Sequence, residues 1–289
     1  MLASVLQPSV LIAIPLLVLV GLRGVRQMAV FLVVTIAMWV TLSGPRDGIW
    51  FIERAWALLL AGWFVGATQV APQSKLSVRT MAAVGGSVAV AAVFMLVRSG
   101  AWEVLDWVVS DALQRGVAMT LDAWSLVMAG RPVSPALASA MYDWVEAQGA
   151  VFPALLAIAS MAALAVAWWI FVRISGGGDQ GIGPVSEFRF NDHLVWVLIG
   201  GLLLVVVRWG DAVTRVGANA VVFMSALYAL RGAGVVMFLS GGFSLLGYLL
   251  FAFGLVVAFP LVLGVAVLIG VGDTWLDLRA RVGEGTEAR

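Results

Sequence analysis

AVVFMSALYALRGAGVVMFL, residues 220–239, is a run of apolar and small residues that carries a single charge, Arg231. At about 1.5 Å of rise per residue, twenty helical residues span about 30 Å, the thickness of a bilayer's hydrocarbon core. A backbone N–H or C=O left unpaired in hydrocarbon costs several kcal/mol, so a run like this one satisfies its backbone within its own helix. The stretch therefore reads as a membrane helix, and lipid becomes the solvent against which the rest of the chain is read.

Composition agrees. Of 289 residues, 62% are apolar and 11% charged, against about 45–50% and about 25% in soluble domains. The apolar runs are continuous rather than alternating, which excludes an outer-membrane barrel pattern. The fold class is all-α, a polytopic helical membrane bundle. A net charge of +1 and the lack of a basic block give no footing to nucleic acid. The absence of cysteine excludes disulfides, thiolate metal sites and cysteine nucleophiles. The opening MLASVLQPS lacks the basic region of a secretory signal, so the first apolar run is expected to stay in the membrane. A bacterial inner membrane is the expected location.

The spacing predicts about eight spans in a single membrane domain, 1–289. Four fall in 1–98 (9–22, 28–42, 55–71 and 82–98), and four in 151–271 (151–172, 194–207, 216–239 and 243–271). SGPRDGIWFIER (43–54) and APQSKLSVR (71–79) read as polar breaks, SGGGDQGIGPVSEF (175–188) as a flexible linker, and 272–289 as a polar cytoplasmic tail. With both termini in the cytoplasm, Arg46, Arg54, Arg98, Arg115, Arg131, Arg208, Arg215, Arg279, Arg281 and Arg289 lie inside. Arg23, Arg26, Lys75, Arg79, Arg173 and Arg189 lie outside, and this asymmetry favours that orientation.

Residues 99–150 differ from the spans. Polar residues recur there every three or four positions (103, 106, 110, 114, 122 and 125), which paints one stripe on a helix. The segment is expected to be amphipathic, either lying in the headgroup region or turning Glu103, Asp106, Asp111 and Asp122 toward a cavity. Ser134-Pro135 is a helix start, and Pro153 should kink or restart the helix behind it.

Motifs for catalysis are missing. One histidine, His193, beside Asp192, makes a poor metal site, and the glycines at 176–178 lack the Lys-Ser/Thr of a phosphate loop. Neither cofactor nor metal is implied, and the chain is not expected to be an enzyme. A weaker alternative uses the carboxylates of 99–150 for acid–base work. The pairs Gly200/Gly201 and Gly241/Gly242, together with Gly264 and Gly270, read as helix-packing positions. Most tryptophans, Trp168 among them, read as an interfacial belt.

Arg231 is the one charge that the apolar runs do not explain. Ser225, Tyr228 and Arg231 share a helix face at three-residue steps, with Asn219 further along. These four are the candidate ligand-binding residues. An arginine at mid-membrane depth costs about 2.5–3.5 kcal/mol on insertion scales, so it needs a partner, a ligand or a bend in the helix at RGAG. Counting spans places Glu187, Asp192 and Asp179 on its side of the membrane, and Asp211 and Asp273 on the opposite side.

The ordered segments FPALLAIASMAALAVAWWIFVRI, EFRFNDHLVWVLIGG, GANAVVFMSALYALRGAGVVMFL and GVGDTWLDLRAR resemble the YybS-like family of bacterial multi-spanning membrane proteins, a domain of unknown function. The matching elements are Pro153, Phe188 to Phe190, Asn219, Leu227, Tyr228, Gly232, Gly270, Asp273, Asp277 and Arg279. Arg231 departs from that pattern, which usually has an uncharged polar residue there. The family is distantly similar to substrate-binding subunits of energy-coupling-factor transporters. The resemblance implies a small-molecule ligand near the outer face and a partner subunit docked at Asp273, Asp277 and Arg279 inside. A simpler reading of that end is an Asp277–Arg281 pair one helical turn apart. The expected partners are the lipid bilayer and membrane or cytoplasmic protein subunits. The function expected is a small-molecule-binding transporter subunit, or alternatively a membrane scaffold for a larger complex.

Overall fold

The computed structural model of the protein describes residues 13–14, 48–128, 133–175, 183–241, 247, 249, 253–254 and 257–281. Among them all regular structure is helical. The predicted spans 9–22 and 28–42 lie almost wholly outside these residues. The chain forms two compact units, 1–182 and 183–289, which divide inside the predicted glycine-rich linker.

The first unit contains α1 (Gly48–Val70), α2 (Leu76–Val97), α3 (Ala101–Val127), α4 (Pro135–Ala150) and α5 (Phe152–Ser175). Of these, α1, α2 and α5 are long and apolar enough to cross a membrane. Their buried residues repeat at helical spacing: Ala57, Leu60, Ala61 and Phe64 on α1, Ala83, Val84 and Ser87 on α2, and Ala163, Leu164 and Ala167 on α5. Lipid is as apolar as a leucine side chain, so burial alone does not drive such helices together. Small residues that allow close approach, and hydrogen bonds between helices, do. The Trp56 indole donates to Ser160 Oγ at 2.9 Å, tying α1 to α5.

Three expectations for this unit need correction. The break at 43–54 ends earlier than predicted, because Trp50, Phe51, Glu53 and Arg54 are already helical and Glu53 is buried. The turn at 71–79 closes by Lys75, which leaves Arg79 in the first helical turns, buried and stacked at 4.2 Å over the Trp168 ring. Trp168 is therefore buried, with Phe64 edge-on to it, rather than part of an interfacial belt. The segment 99–150 is two helices. Ser134 Oγ accepts from Leu137 N at 3.3 Å and Pro135 opens α4, as the sequence signal predicts. The helix restarts at Phe152, one residue before Pro153.

The second unit contains α6 (Val195–Val207), α7 (Asp211–Leu239) and α8 (Phe259–Leu276). Of these, α7 and α8 are long and apolar enough to cross a membrane, while α6 is shorter. In all, five described helices have the length and composition of membrane spans, against the predicted eight. Helix α7 is continuous through Arg231-Gly-Ala-Gly, so the bend considered at RGAG does not occur. The predicted span 243–271 is not one helix, because the backbone breaks at Ala258 and α8 starts at Phe259.

Three close approaches hold this unit together. Helices α6 and α7 pack as a hairpin in which a Cβ on Gly217 would come within 2.7 Å of the Gly201 carbonyl. At the α7–α8 crossing, a Cβ on Gly232 would land on the Ala266 carbonyl oxygen, and one on Gly270 on that of Tyr228. Gly200 and Gly264 meet nothing within 4 Å, so of the predicted packing glycines only Gly201 and Gly270 are close-approach positions among those described. Gly242 lies outside the described residues.

Gly232→Ala and Gly270→Ala should each force the helices apart. An expected loss of about 1–3 kcal/mol or more would appear as a lower melting midpoint and a smaller monodisperse peak in detergent. Gly264→Ala, with open space around it, should be neutral or stabilising by about 0.5–1 kcal/mol.

Candidate functional site

Helix α7 supplies Arg231 and Tyr228, α8 supplies Asp273, and the segment that leads into α6 supplies Phe190 and Asp192. The guanidinium of Arg231 is 3% exposed, and three of its nitrogens are engaged. Nε donates to Asp273 Oδ2 at 2.9 Å, Nη1 to Asp192 Oδ1 at 2.5 Å, and Nη2 to the Asp273 main-chain oxygen at 3.3 Å. That last acceptor is a carbonyl in the final turn of α8, where the helix dipole is negative and a cation is favoured.

Arg279 completes the arrangement. Beyond α8 the chain turns through Asp277, whose φ of 40° lies in the left-handed region that aspartate tolerates better than most residues. Arg279 Nη2 then reaches Asp273 Oδ2 at 3.1 Å and the Phe188 carbonyl at 3.2 Å, while Nη1 donates to the Ser186 carbonyl at 2.7 Å. One carboxylate oxygen thus sits between two guanidinium groups. Gly234 makes room for the segment before α6, since a Cβ there would lie 2.5 Å from the Val185 carbonyl.

Charge in the cluster balances. Arg231 and Arg279 contribute two positive charges, Asp273 and Asp192 two negative ones. A buried ion group is tolerable only when charge and hydrogen bonding are both met. The aromatic floor is Phe190, with the Tyr228 ring edge-on at 5.0 Å and Arg231 above it at 5.6 Å. Hydrogen bonding is not complete, however. Asp273 Oδ1, the Tyr228 hydroxyl and Arg279 Nε are buried with no hydrogen-bond partner.

The predicted residues fare unequally. Tyr228 and Arg231 come together, as their spacing implies, and Asp192 is a partner of Arg231 as anticipated. Asp273 was placed on the opposite side of the membrane; it is Arg231's most intimate partner. The α7–α8 crossing at Gly232 and Gly270 brings the last turn of α8 within reach of the Arg231 side chain, closer than a count of residues from the span ends implies. Asp273 and Arg279 are 1% and 6% exposed, so they are interior groups rather than a surface for a docking subunit. Asp277 is exposed and pairs with Arg189 at 2.7 Å, in place of the expected side-chain pair with Arg281. Asn219 bonds the Arg215 carbonyl of its own helix at 2.8 Å, and Ser225 is half-buried. Of the predicted partners, Asp179 lies outside the described residues. Arg279 as a partner of Asp273 was missed: its six-residue separation from Asp273 suits no regular helical pairing, and only the turn at Asp277 closes it.

Compared with known proteins, residues 2–274 match a family described as "Predicted membrane protein (DUF2232)", and the chain belongs to that family. The matched region contains Asp192, Tyr228, Arg231 and Asp273, while Asp277 and Arg279 fall beyond it. No curated protein and no solved structure matches. Together with the apolar helices, the family makes this a multi-pass membrane protein.

Asp273→Ala should leave two arginines facing each other without their shared anion. The expected cost is about 3–5 kcal/mol, read as loss of folded protein after extraction in mild detergent. Asp277→Ala breaks an exposed pair and should cost about 1 kcal/mol or less.

Proposed function

We propose that this DUF2232 family member is a non-catalytic membrane subunit that binds a small polar molecule at the Arg231 cluster, as a transporter component would. The observation that carries the reading is the set of buried groups left unsatisfied at the cluster's heart: Asp273 Oδ1, the Tyr228 hydroxyl and Arg279 Nε. Nearly all buried polar atoms in folded proteins find partners, and a purely structural ion cluster has no need of the surplus. An acceptor, a donor–acceptor and a donor around one charged core are what a polar ligand uses. The similarity to YybS-like proteins, and through them to transporter substrate-binding subunits, supports the same reading. So does the absence of any motif that calls for catalysis. The distribution of Lys and Arg supports a bacterial inner membrane with both termini inside.

A scaffold role is the second reading, and α3 and α4 favour it. Trp102, Trp107 and Trp124 on α3 and Tyr142 and Trp144 on α4 are exposed. Glu103, Asp106, Asp111, Asp122, Asp143 and Glu146 on the same helices face a single basic residue, Arg115. An acidic, aromatic surface suits a basic protein partner better than an anionic lipid leaflet.

Tyr228→Phe separates the two. It removes one hydroxyl beside Thr274 and keeps the ring against Phe190, so the melting midpoint should nearly hold. A small molecule retained on wild-type protein, identified by native mass spectrometry, should bind the variant roughly tenfold more weakly, the equivalent of one hydrogen bond. If wild-type protein retains nothing and no polar compound shifts its melting, the ligand reading fails. Co-purification of a basic partner that is lost on Trp107→Glu would then favour the scaffold.

A further inference from the structure

The four members of the Arg231 cluster are not held alike. Asp273 is completely buried, accepts from two arginines and belongs to a helix that packs backbone-to-backbone on α7. Asp192 differs on every count. Its side chain is 60% exposed, its only hydrogen-bond or ion-pair partner among the described residues is Arg231, and it stands on the three-residue turn Asp192–Leu194. Arg231, by contrast, is 3% exposed, so the Asp192 carboxylate covers the outward edge of a buried cation.

From this asymmetry we propose that Asp192 is a built-in stand-in for an anionic ligand, and that a small carboxylate displaces it to pair with Arg231 Nη1. The inference rests on the ligand reading above and names the class of molecule. Its chemistry follows from the cluster's charges. With Asp192 withdrawn, Arg231, Arg279 and Asp273 sum to +1, and a monoanion restores neutrality. Arg231 would not have to move, because Asp273 fixes Nε and Nη2 and Phe190 supports the guanidinium plane. A planar carboxylate matches the donor fork of arginine better than a spherical anion does. The exposed side of Asp192 supplies the way in. An internal competitor sets the affinity: a ligand must outbind a carboxylate already tethered at high effective concentration.

The test uses the full chain purified in mild detergent, with acetate as probe and acetamide plus sodium chloride as the neutral, ionic-strength-matched control. Asp192→Ala should melt below wild type, and acetate at tens of millimolar should raise its midpoint saturably toward the wild-type value. Wild-type protein should need at least tenfold more acetate for the same response. Adding Arg231→Lys to Asp192→Ala, which keeps the charge but loses the fork, should weaken the response about tenfold. Acetate acting no better than the control, acting equally on wild type, or acting regardless of Arg231→Lys would each overturn the proposal. Should Asp192→Ala fail to fold, the isosteric Asp192→Asn is purified with and without acetate. Recovery only with acetate supports displacement, and failure in both makes Asp192 a structural ion-pair partner, which overturns it. A neutral or cationic compound whose binding depends on Tyr228 would leave the polar-ligand reading standing while this inference falls.

Discussion

Asp273 Oδ2 lies 2.9 Å from Arg231 Nε and 3.1 Å from Arg279 Nη2, and the architecture of the second unit hangs on that one oxygen. A lone arginine within an apolar helix carries an insertion cost of a few kcal/mol. Supplying a carboxylate from a neighbouring helix removes most of the reason for that cost, but only if the helices are close. The glycines at 232 and 270 bring them close, because a side chain on either would meet backbone. Ion pair and glycine contact thus depend on each other. The contact sets the reach of Asp273, and the pair repays the close approach of two polar backbones.

The same constraint shapes the segment before α6. Ser186 and Phe188 give their carbonyls to Arg279, while Phe190 and Asp192 turn toward Arg231. An irregular stretch has many main-chain groups without helical partners, and at membrane depth those must be met by protein. Arg279 meets two of them. The segment is therefore ordered by the cluster as much as it contributes to it. Among the described residues of this unit, the buried side-chain atoms left without partners, Asp273 Oδ1, the Tyr228 hydroxyl and Arg279 Nε, all belong to the cluster.

Much of this was legible from residues. Continuous apolar runs identify a helical membrane protein, since alternation and solubility both demand a different spacing of charge. The start of α4 at Ser134-Pro135 and the restart near Pro153 follow from local chemistry, because a cap hydroxyl and a fixed φ act within one turn. Tyr228 and Arg231 share a face by helical geometry alone. Other features escaped for a reason of the same kind. Trp168 reads as an interfacial residue on hydropathy, yet an aromatic ring can equally stack under a buried cation such as Arg79, and only the packing of α2 on α5 selects between them.

Composition and spacing alone fix the solvent, the helical class and the cost of an arginine inside an apolar run, because each is local; that α7 runs unbroken past Arg231 is a finding of the structure. Which anion answers was decided only in three dimensions. Asp192 and Asp273 stand 39 and 42 residues from Arg231, on other elements, and no local periodicity relates positions so far apart. The backbone contacts at Gly232 and Gly270, together with the ion pair itself, fix the level at which the two helices meet.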